Sequence, residues 1–465
     1  MTRQMILLGC MGSMTVVALC QQNQVNSDSI AVPRFGASLL AVAYDAKGGI
    51  QKDEEPKKPG DNTQPPAERS IDILHQSTLL GGWNGMREGL SEKGFDVSVL
   101  YKSDNFSNVS GGLAQDGAYI HNIDAVFSLD AEKLAGWTGG SALIHFISNN
   151  GGRLNACVGD AQMVSNIEAP KLTKLYQLWV QQNFSVGSLS ILAGLYDLNS
   201  EFYVTTTSGL FLNGSHGIGK DLSQAGQNGP SVFPNTALAT RIKVEPMPNL
   251  YAQAVVLDGV PGDPDDPFAT SFHIDSREGA LLVAEVGYSK EGSESDASHG
   301  KLALGVWRYT SSFSELLPND AGEGVESSGN SGIYLLAETK VLCEGPSSSR
   351  GLALFARAGT ANSGINKFNY HVGFGAVYTG LFPGREEDML GLAVAHAHCG
   401  AEFKKLVLDA GSIVRNGELT VEITYRAQLT PWLAIQPNIQ QIIQPGADAA
   451  IRDATVIGTR IEIKF

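Results

Sequence analysis

The sequence predicts an all-β protein, a transmembrane antiparallel β-barrel of about sixteen strands with a third external loop folded inward. Three observations carry this. Many segments alternate apolar and polar residues with a period of two, and the polar face bears charges. The connections between them sort by length according to their order. Beyond residues 5–19 no apolar run approaches the ~18 residues of a spanning helix.

In chain order, Met1-Thr2-Arg3-Gln4 is a short basic start, and Met5 to Leu19 is apolar over signal-peptide length. Residues 1–43 are therefore read as a signal-peptide region. Cys20 after Val17-Ala18-Leu19 faintly resembles a lipoprotein box, and Ala41-Val42-Ala43 offers a second small-x-small cut. Residues 44–78 read as a flexible linker, with Pro56, Pro59, Pro65 and Pro66 among Lys, Asp and Glu. Residues 79–465 form the barrel. Its entry, Gly82 to Lys93, turns briefly helical, with Met86 and Leu90 four apart. The first strand follows, Phe95, Val97, Val99 and Tyr101 alternating with Asp96, Ser98 and Lys102.

Strand-like segments of roughly 9–13 residues, the length of a tilted membrane strand, recur to the C-terminus. They begin near Phe95, Gly117, Gly139, Thr173, Ser188, Asn235, Asn249, Gly279, Lys301, Ser331, Arg350, Tyr370, Leu390, Gly417, Pro431 and Thr455. Two are blurred, Thr173 to Ser185 and Asn249 to Asp258. The clearest starts at Gly417, where Leu419, Val421, Ile423 and Tyr425 alternate with Glu418, Thr420, Glu422, Thr424 and Arg426. A Leu429-Thr430-Pro431 turn follows. Leu433, Ile435, Ile439 and Ile443 then alternate with Gln436, Asn438 and Gln440, and Ile457, Ile461, Ile463 and Phe465 with Arg460, Glu462 and Lys464. A face this charged does not enter a protein core, because each desolvated charge costs several kcal/mol unless paired. It faces bulk water or a wet lumen.

Even-numbered connections are mostly short: Gly187, Pro246-Met247-Pro248, Glu344 to Ser349, Gln428 to Thr430. Odd-numbered ones are mostly long and polar: Ser148 to Leu172, Tyr196 to Pro234, Gly259 to Glu278, Thr310 to Asn330. An outer-membrane barrel has short periplasmic turns and long external loops, whereas a soluble sandwich has no reason to sort loops by parity. Tyr196 to Pro234 is the third external loop. It carries Phe202, Tyr203, Leu210, Phe211 and Leu212, which folding against the barrel wall would bury.

Composition narrows the function. A net charge of -15 without a Lys/Arg cluster argues against nucleic acid. Two of the five cysteines, Cys10 and Cys20, lie in the leader; Cys157, Cys343 and Cys399 remain, without metal-type spacing. The strand order puts Cys343 and Cys399 at opposite barrel ends, so no bridge is expected.

Three motifs resemble the carbohydrate-selective outer-membrane porin family (OprB-type). The entry Leu79-Leu80-Gly81-Gly82-Trp83-Asn84-Gly85-Met86-Arg87-Glu88-Gly89-Leu90 is similar to that family's Gly-Asp-Trp-Gly-Gly-x-Arg-x-x-Leu, with Gly82 where Asp is usual. Gly194-Leu195-Tyr196-Asp197-Leu198-Asn199-Ser200-Glu201-Phe202 resembles its Asp-x-Asn segment, and Tyr425 to Gly446 its C-terminal signature. The resemblance spans Leu79 to Phe465. It implies a 16-stranded porin passing glucose and related sugars, with an inward third loop and a charged constriction. The implied setting is the outer membrane of a Gram-negative bacterium, with lipid outside. Porins are often trimers, so a homotrimer is in keeping. The three barrel cysteines depart from what porins usually carry.

Passive permeation needs polar groups that replace water around hydroxyls weakly enough for release. Candidate pore-lining residues are Asp197, Asn199 and Glu201 in the third loop, Arg241, Lys243 and Glu245, Trp307, then Glu418, Glu422, Arg426, Gln436, Asn438, Gln440 and Arg460. For most, the plainer role is solvating the lumen and joining strands; for Asp197, Asn199 and Glu201 it is anchoring a turn. Arg87 reads as an anchor of the entry segment. Trp307 faces the lumen if Leu302, Leu304 and Val306 face lipid, or else sits at the interface.

No cofactor and no enzyme activity is expected. His396 and His398 share a strand face beside Cys399, but no third metal ligand is near. Gly214-Ser215-His216-Gly217 lacks the strand–elbow–helix setting of a hydrolase nucleophile. Asp263, Asp265 and Asp266 suit Ca²⁺ or simply an acidic external loop. Two other functions stand beside a sugar porin: a general diffusion porin for ions and small solutes, and a surface adhesion protein built on soluble β-sheet.

Overall fold

The computed structural model describes residues 73–184, 188–290, 292, 299–345 and 348–465. The expected signal-peptide region, nearly all of the expected linker and the Gly187 turn lie outside the described residues. Alternating, β-branched and aromatic-rich segments form sixteen strands that close into one antiparallel barrel, each paired with its sequence neighbours and β1 with β16. They are β1 (Phe95–Gly112), β2 (Gly117–Asp130), β3 (Gly140–Gly151), β4 (Leu172–Phe184), β5 (Leu189–Tyr196), β6 (Ala237–Met247), β7 (Leu250–Asp258) and β8 (Ala280–Lys290). The circle continues with β9 (Gly300–Ser314), β10 (Glu326–Cys343), β11 (Gly351–Ala361), β12 (Phe368–Thr379), β13 (Met389–Cys399), β14 (Gly417–Thr430), β15 (Leu433–Ile443) and β16 (Arg452–Lys464). Closure removes the unpaired edges that an open sheet would expose.

The starts agree with the alternation except at two strands. β10 begins at Glu326 rather than Ser331, because the β9–β10 hairpin keeps pairing out to Ser314↔Glu326. β16 begins at Arg452 rather than Thr455, since Arg452 pairs with Gly112 of β1. β14 likewise runs on through Leu429 and Thr430, so the turn expected there falls at residues 431–432. Loop lengths follow the parity trend, with 113–116, 362–367 and 444–451 as short exceptions among the odd connections.

Burial is inverted relative to a soluble protein. On β14, Glu418 and Glu422 are 0% exposed while Ile423, on the opposite face, is 47% exposed. The same holds around the wall, where Leu302, Leu304, Val306, Ile333, Leu335, Phe374, Leu392 and Ile439 all stand exposed on the outward side. The blurred strand β4 has a physical cause. Opposite His145 and Phe146 it carries an extra residue, Tyr176, so the pairing steps from Gln177 to Leu175. The inward set therefore changes from Lys174 and Tyr176 to Gln177, Trp179 and Gln181. β7 is blurred for another reason: its inward Tyr251, Val255 and Leu257 pack beneath apolar residues of the 197–236 connection.

The entry segment ties one rim together. After the helix α1 (Met86–Glu92) begins, Arg87 donates from Nη2 to the Phe465 carbonyl oxygen at 2.8 Å, its guanidinium 4.5 Å from the Trp83 ring. Leu79 N–H reaches Lys464 O at 2.8 Å, and Trp432 Nε1 reaches Ile73 O at 2.7 Å. Arg87 is thus the anchor its position suggested.

Candidate functional site: the barrel interior and its two long loops

The 197–236 connection is held by inward side chains from widely separated strands. Asp197 starts it, its carboxylate accepting Asn199 N–H at 2.8 Å, while Asn199 Nδ2 donates to Phe202 O and Gly217 O. Burial pushes the Asp197 carboxyl up to about 6. Further along, Tyr203 N–H donates to Glu285 of β8, and Thr206 and Thr207 N–H to Glu338 of β10 at 3.0 and 2.7 Å. Arg357 of β11 donates to Gly217 O, Thr205 Oγ1 and Ser208 Oγ. Glu422 of β14 accepts Leu212 and Asn213 N–H at 2.7 and 3.0 Å. The apolar residues of the connection, Phe202, Tyr203, Leu210, Phe211 and Leu212, are all buried.

The 152–171 connection behaves the same way. Its Leu154, Val158, Val164 and Ile167 pack with Leu212 of the other connection and with Ile442 and Val456 of the wall. Backbone bonds join the two: Asn166 N–H to Leu212 O and Gly214 N–H to Met163 O, each 2.8 Å. Within it, Glu168 accepts Leu154 and Asn155 N–H, and burial raises its carboxyl to about 6.

Beside this packed part lies a group of paired charges. Arg241 meets Glu201 at 2.9 Å and donates to Gln181 Oε1 and Ser190 Oγ. Lys243 meets Glu245 at 2.7 Å, and Lys301 meets Glu285 at 3.6 Å. The ammonium groups of Lys243 and Lys301 each lie 5.6 Å from the Tyr251 ring centroid. Glu285 also accepts from Tyr251 Oη and Tyr334 Oη at 2.7 and 2.8 Å. Tyr334 lies against Gly305, where a Cβ would come within 2.0 Å of its ring, so only glycine leaves room.

The expected site residues thus fall into groups. Glu201 and Arg241 meet, as do Lys243 and Glu245. Glu422 accepts Asn438 Nδ2 at 2.6 Å, and Gln440 Nε2 donates to Asn438 Oδ1 and Val164 O. Gln436 Nε2 donates to Leu210 O and Thr424 Oγ1. Glu418 accepts Ala161, Gln162 and Gly446 N–H. Arg426 pairs with Glu462, and Arg460 makes a two-pronged contact with Asp104, both arms 2.7 Å. Trp307 is buried on the inward side, edge-on to Tyr309. Among the described residues no ion pair joins the β6 group to the β14–β16 group.

Glu285, Glu338, Lys301 and Arg357 were not among the expected residues. Their signal was a single charge inside an otherwise apolar strand, as in Leu281 to Val286 and Leu352 to Ala358. Such a charge at membrane depth marks a functional or anchoring place. His396 and His398 lie on the outward side of β13, where His398 stacks on Tyr370 at 4.4 Å and bonds Asn369. Gly214–His216 is a 3-10 turn whose Asn213 caps Ser215 N–H. Asp263 caps Asp265 and Asp266 N–H within its own turn. The three described barrel cysteines are free thiols, Cys343 and Cys399 closing strands of opposite direction.

Comparison with known proteins agrees with this architecture. The chain is 27% identical over 420 residues to Porin B of Pseudomonas aeruginosa PAO1, covering 83% of this chain and 91% of that protein. To the putative porin QuiX of Acinetobacter baylyi it is 21% identical over 420 residues, covering 83% and 93%. The high-pH structure of OprB from Pseudomonas putida superposes with a TM-score of 0.76 at 22% identity, over 84% of this chain and 99% of that one. Residues 114–465 match the family model "Carbohydrate-selective porin, OprB family". The chain therefore belongs to the carbohydrate-selective porin family of OprB type, a channel of the outer membrane and not an enzyme.

Proposed function

We propose that the chain passes glucose and related neutral sugars passively, along a water-filled path narrowed by the 196–234 segment folded into the barrel. The observation that carries this reading is the set of opposite charges paired one to one, Arg241–Glu201, Lys243–Glu245 and Lys301–Glu285. Of these, Lys243–Glu245 is open to water and presents donors and acceptors to a polyol, Glu201 is partly open, and the buried Arg241 and Glu285 balance the charge behind them, leaving little net field to draw an ion of either sign. The loop reading rests on its hydrogen bonds to β8, β10, β11 and β14, which a segment lying outside the barrel could not reach together. Asp197 and Asn199 fix the start of that segment. Arg241, Lys243, Glu245 and Glu201 line the sugar path, and Trp307 closes its wall. Arg426, Gln436, Asn438, Gln440 and Arg460 support the narrowed section. The outward apolar band meets outer-membrane lipid; an apolar surface this extensive is not stable in water.

The test is liposome swelling with the purified protein, using glucose, a disaccharide and an amino acid, beside single-channel conductance in salt. Glucose should enter fastest, and the small conductance should fall when glucose is added. Swelling that tracks solute size alone, with large conductance, would make the chain a general diffusion porin.

A further inference from the structure

Glu418 and Glu422 lie four residues apart on β14 and so point the same way. Each receives convergent backbone N–H groups, Glu422 from the 197–236 connection and Glu418 from the 152–171 connection and the turn at Gly446. Glu418 takes Ala161 N–H on Oε2 at 2.7 Å, Gln162 N–H on Oε1 at 2.9 Å and Gly446 N–H on Oε2 at 2.5 Å. Glu422 takes Leu212 N–H on Oε1 at 2.7 Å, Asn213 N–H on Oε2 at 3.0 Å and Asn438 Nδ2 on Oε1 at 2.6 Å, with His216 Nε2 at 3.8 Å. Four strands round the circle, Glu338 of β10 takes Thr206 and Thr207 N–H in the same two-pronged manner. The two loops are bonded to one another between these points, at Asn166–Leu212 and Met163–Gly214.

We infer that Glu418, Glu422 and Glu338 are positioning residues: they dock the 152–171 and 196–234 segments as one unit and thereby set the solute cut-off of the pore. This rests on the reading that the 196–234 segment narrows the pore. The chemistry requires a carboxylate. Two convergent N–H donors need two acceptor oxygens, and an amide in the same place turns an NH₂ donor against one of them. That N–H is then left buried without a partner, the costly half of a lost hydrogen bond. Charge-assisted bonds to backbone N–H are also stronger than neutral ones. None of the three residues needs to touch the sugar.

The full-length protein carrying Glu422→Gln, Glu418→Gln or Glu338→Gln would be placed in liposomes and planar bilayers. The ratio of disaccharide to glucose swelling and the single-channel conductance are the readouts, with folding checked by heat-modifiable migration in gels. Each variant should conduct several-fold more salt than the parent and admit the disaccharide, with the glucose rate little lowered. Leu212→Pro leaves the wall carboxylate in place and removes the loop N–H together with the Leu212 packing on Ile442 and Val456, so it is read against Leu212→Ala, which removes the packing alone. Leu212→Pro should move both readouts in the same direction as Glu422→Gln and further than Leu212→Ala does. Folded variants with the parent's conductance and cut-off would overturn the inference. A parent protein that itself passes disaccharide and glucose alike would remove the sugar reading, while a conductance rise in the variants would still uphold the docking role.

Discussion

The β14–β16 wall and the β6–β9 wall follow the same period of two, yet they use their polar residues differently. On β14 to β16, Glu418, Glu422, Gln436, Asn438, Gln440 and Arg460 are all buried, and their polar atoms are engaged by the two long loops or by neighbouring strands. On β6, Lys243 keeps 29% of its side chain exposed and Glu245 keeps 50%. The β14–β16 wall is a dock for backbone, whereas the β6–β9 wall combines a docking carboxylate, Glu285 taking Tyr203 N–H, with the Lys243–Glu245 pair that keeps contact with water. The lesson is that alternation identifies an inward side chain without telling what meets it there. A carboxylate that faces a loop's N–H groups is part of the scaffold, whereas one that faces water is available to solute.

The comparison breaks most sharply at Arg460. Its guanidinium and the Asp104 carboxylate are both essentially inaccessible, so removing one partner strands a buried charge. Arg460→Ala should destabilise the barrel by about 3–5 kcal/mol, whereas the double variant Arg460→Met/Asp104→Asn should recover most of it. Thermal unfolding in detergent, followed as loss of heat-modifiable migration, measures both. Equal losses in the single and double variants would place this wall in the wet class.

Arg241 should behave in between. It is buried but joins the partly exposed Glu201, so its loss removes charge-assisted bonds of roughly 1.5–3 kcal/mol while water can still reach the carboxylate. Arg241→Ala should therefore cost less stability than Arg460→Ala. It should lower glucose swelling several-fold and bias conductance towards cations, because Glu201 is left uncompensated. Unchanged glucose swelling would move Arg241 from the path to the scaffold.

How much of this was legible follows from the same contrast. The β14 alternation was readable because each step from Glu418 to Thr424 exchanges a charged or hydroxylated residue for an aliphatic one. β4 was not, because one extra residue at Tyr176 exchanges the two faces midway and no composition marks it. The apolar content of the 196–234 loop announced that it must be covered. Its attachment to Glu285, Glu338 and Glu422 depends on which backbone N–H groups converge on which carboxylate, and periodicity carries no record of that. The share of the 152–171 loop escaped for the same reason: Leu154, Val158, Val164 and Ile167 are scattered among glycine and polar residues, and only the packing gathers them. Lone charges such as Glu285 and Arg357 were visible as departures from their strands.

Acidity offers a gentler probe of the docked side. Asp221 follows Lys220 in a single helical turn of the 197–236 connection and accepts Tyr203 Oη at 2.8 Å. Burial pushes its carboxyl up to about 7, the facing Tyr203 hydroxyl and the Arg357 guanidinium drawing it partly back. A carboxyl raised in the folded state contributes stability that is full below its ordinary value of 3.8 and is lost as pH rises through 7. His216 nearby is pushed down to about 3 by burial and by Arg357, so it stays neutral across this window. Between pH 6 and pH 8, above the range of Asp197 and Glu168, thermal stability should fall by roughly one to two kcal/mol, and Asp221→Asn should flatten that slope. A slope that survives the substitution would assign it to another group.

The smallest effects belong to the Lys243–Glu245 pair, and they test the wet side most directly. An exposed ion pair contributes about 0–1 kcal/mol, so neither Lys243→Ala nor Glu245→Ala should shift thermal unfolding beyond that. What each single variant changes is the local field. Lys243→Ala leaves Glu245 facing the path and should move the reversal potential in a salt gradient towards cation preference; Glu245→Ala should move it towards anions. The exchange Lys243→Glu/Glu245→Lys restores the pair and should return both the potential and the glucose rate to the parent's values. If the single variants leave ion preference unchanged, Lys243 and Glu245 stand outside the path of permeating solute. The paired-charge account of selectivity would then have to rest on Arg241–Glu201 alone, since Glu285 is buried against Tyr203 N–H and belongs to the scaffold.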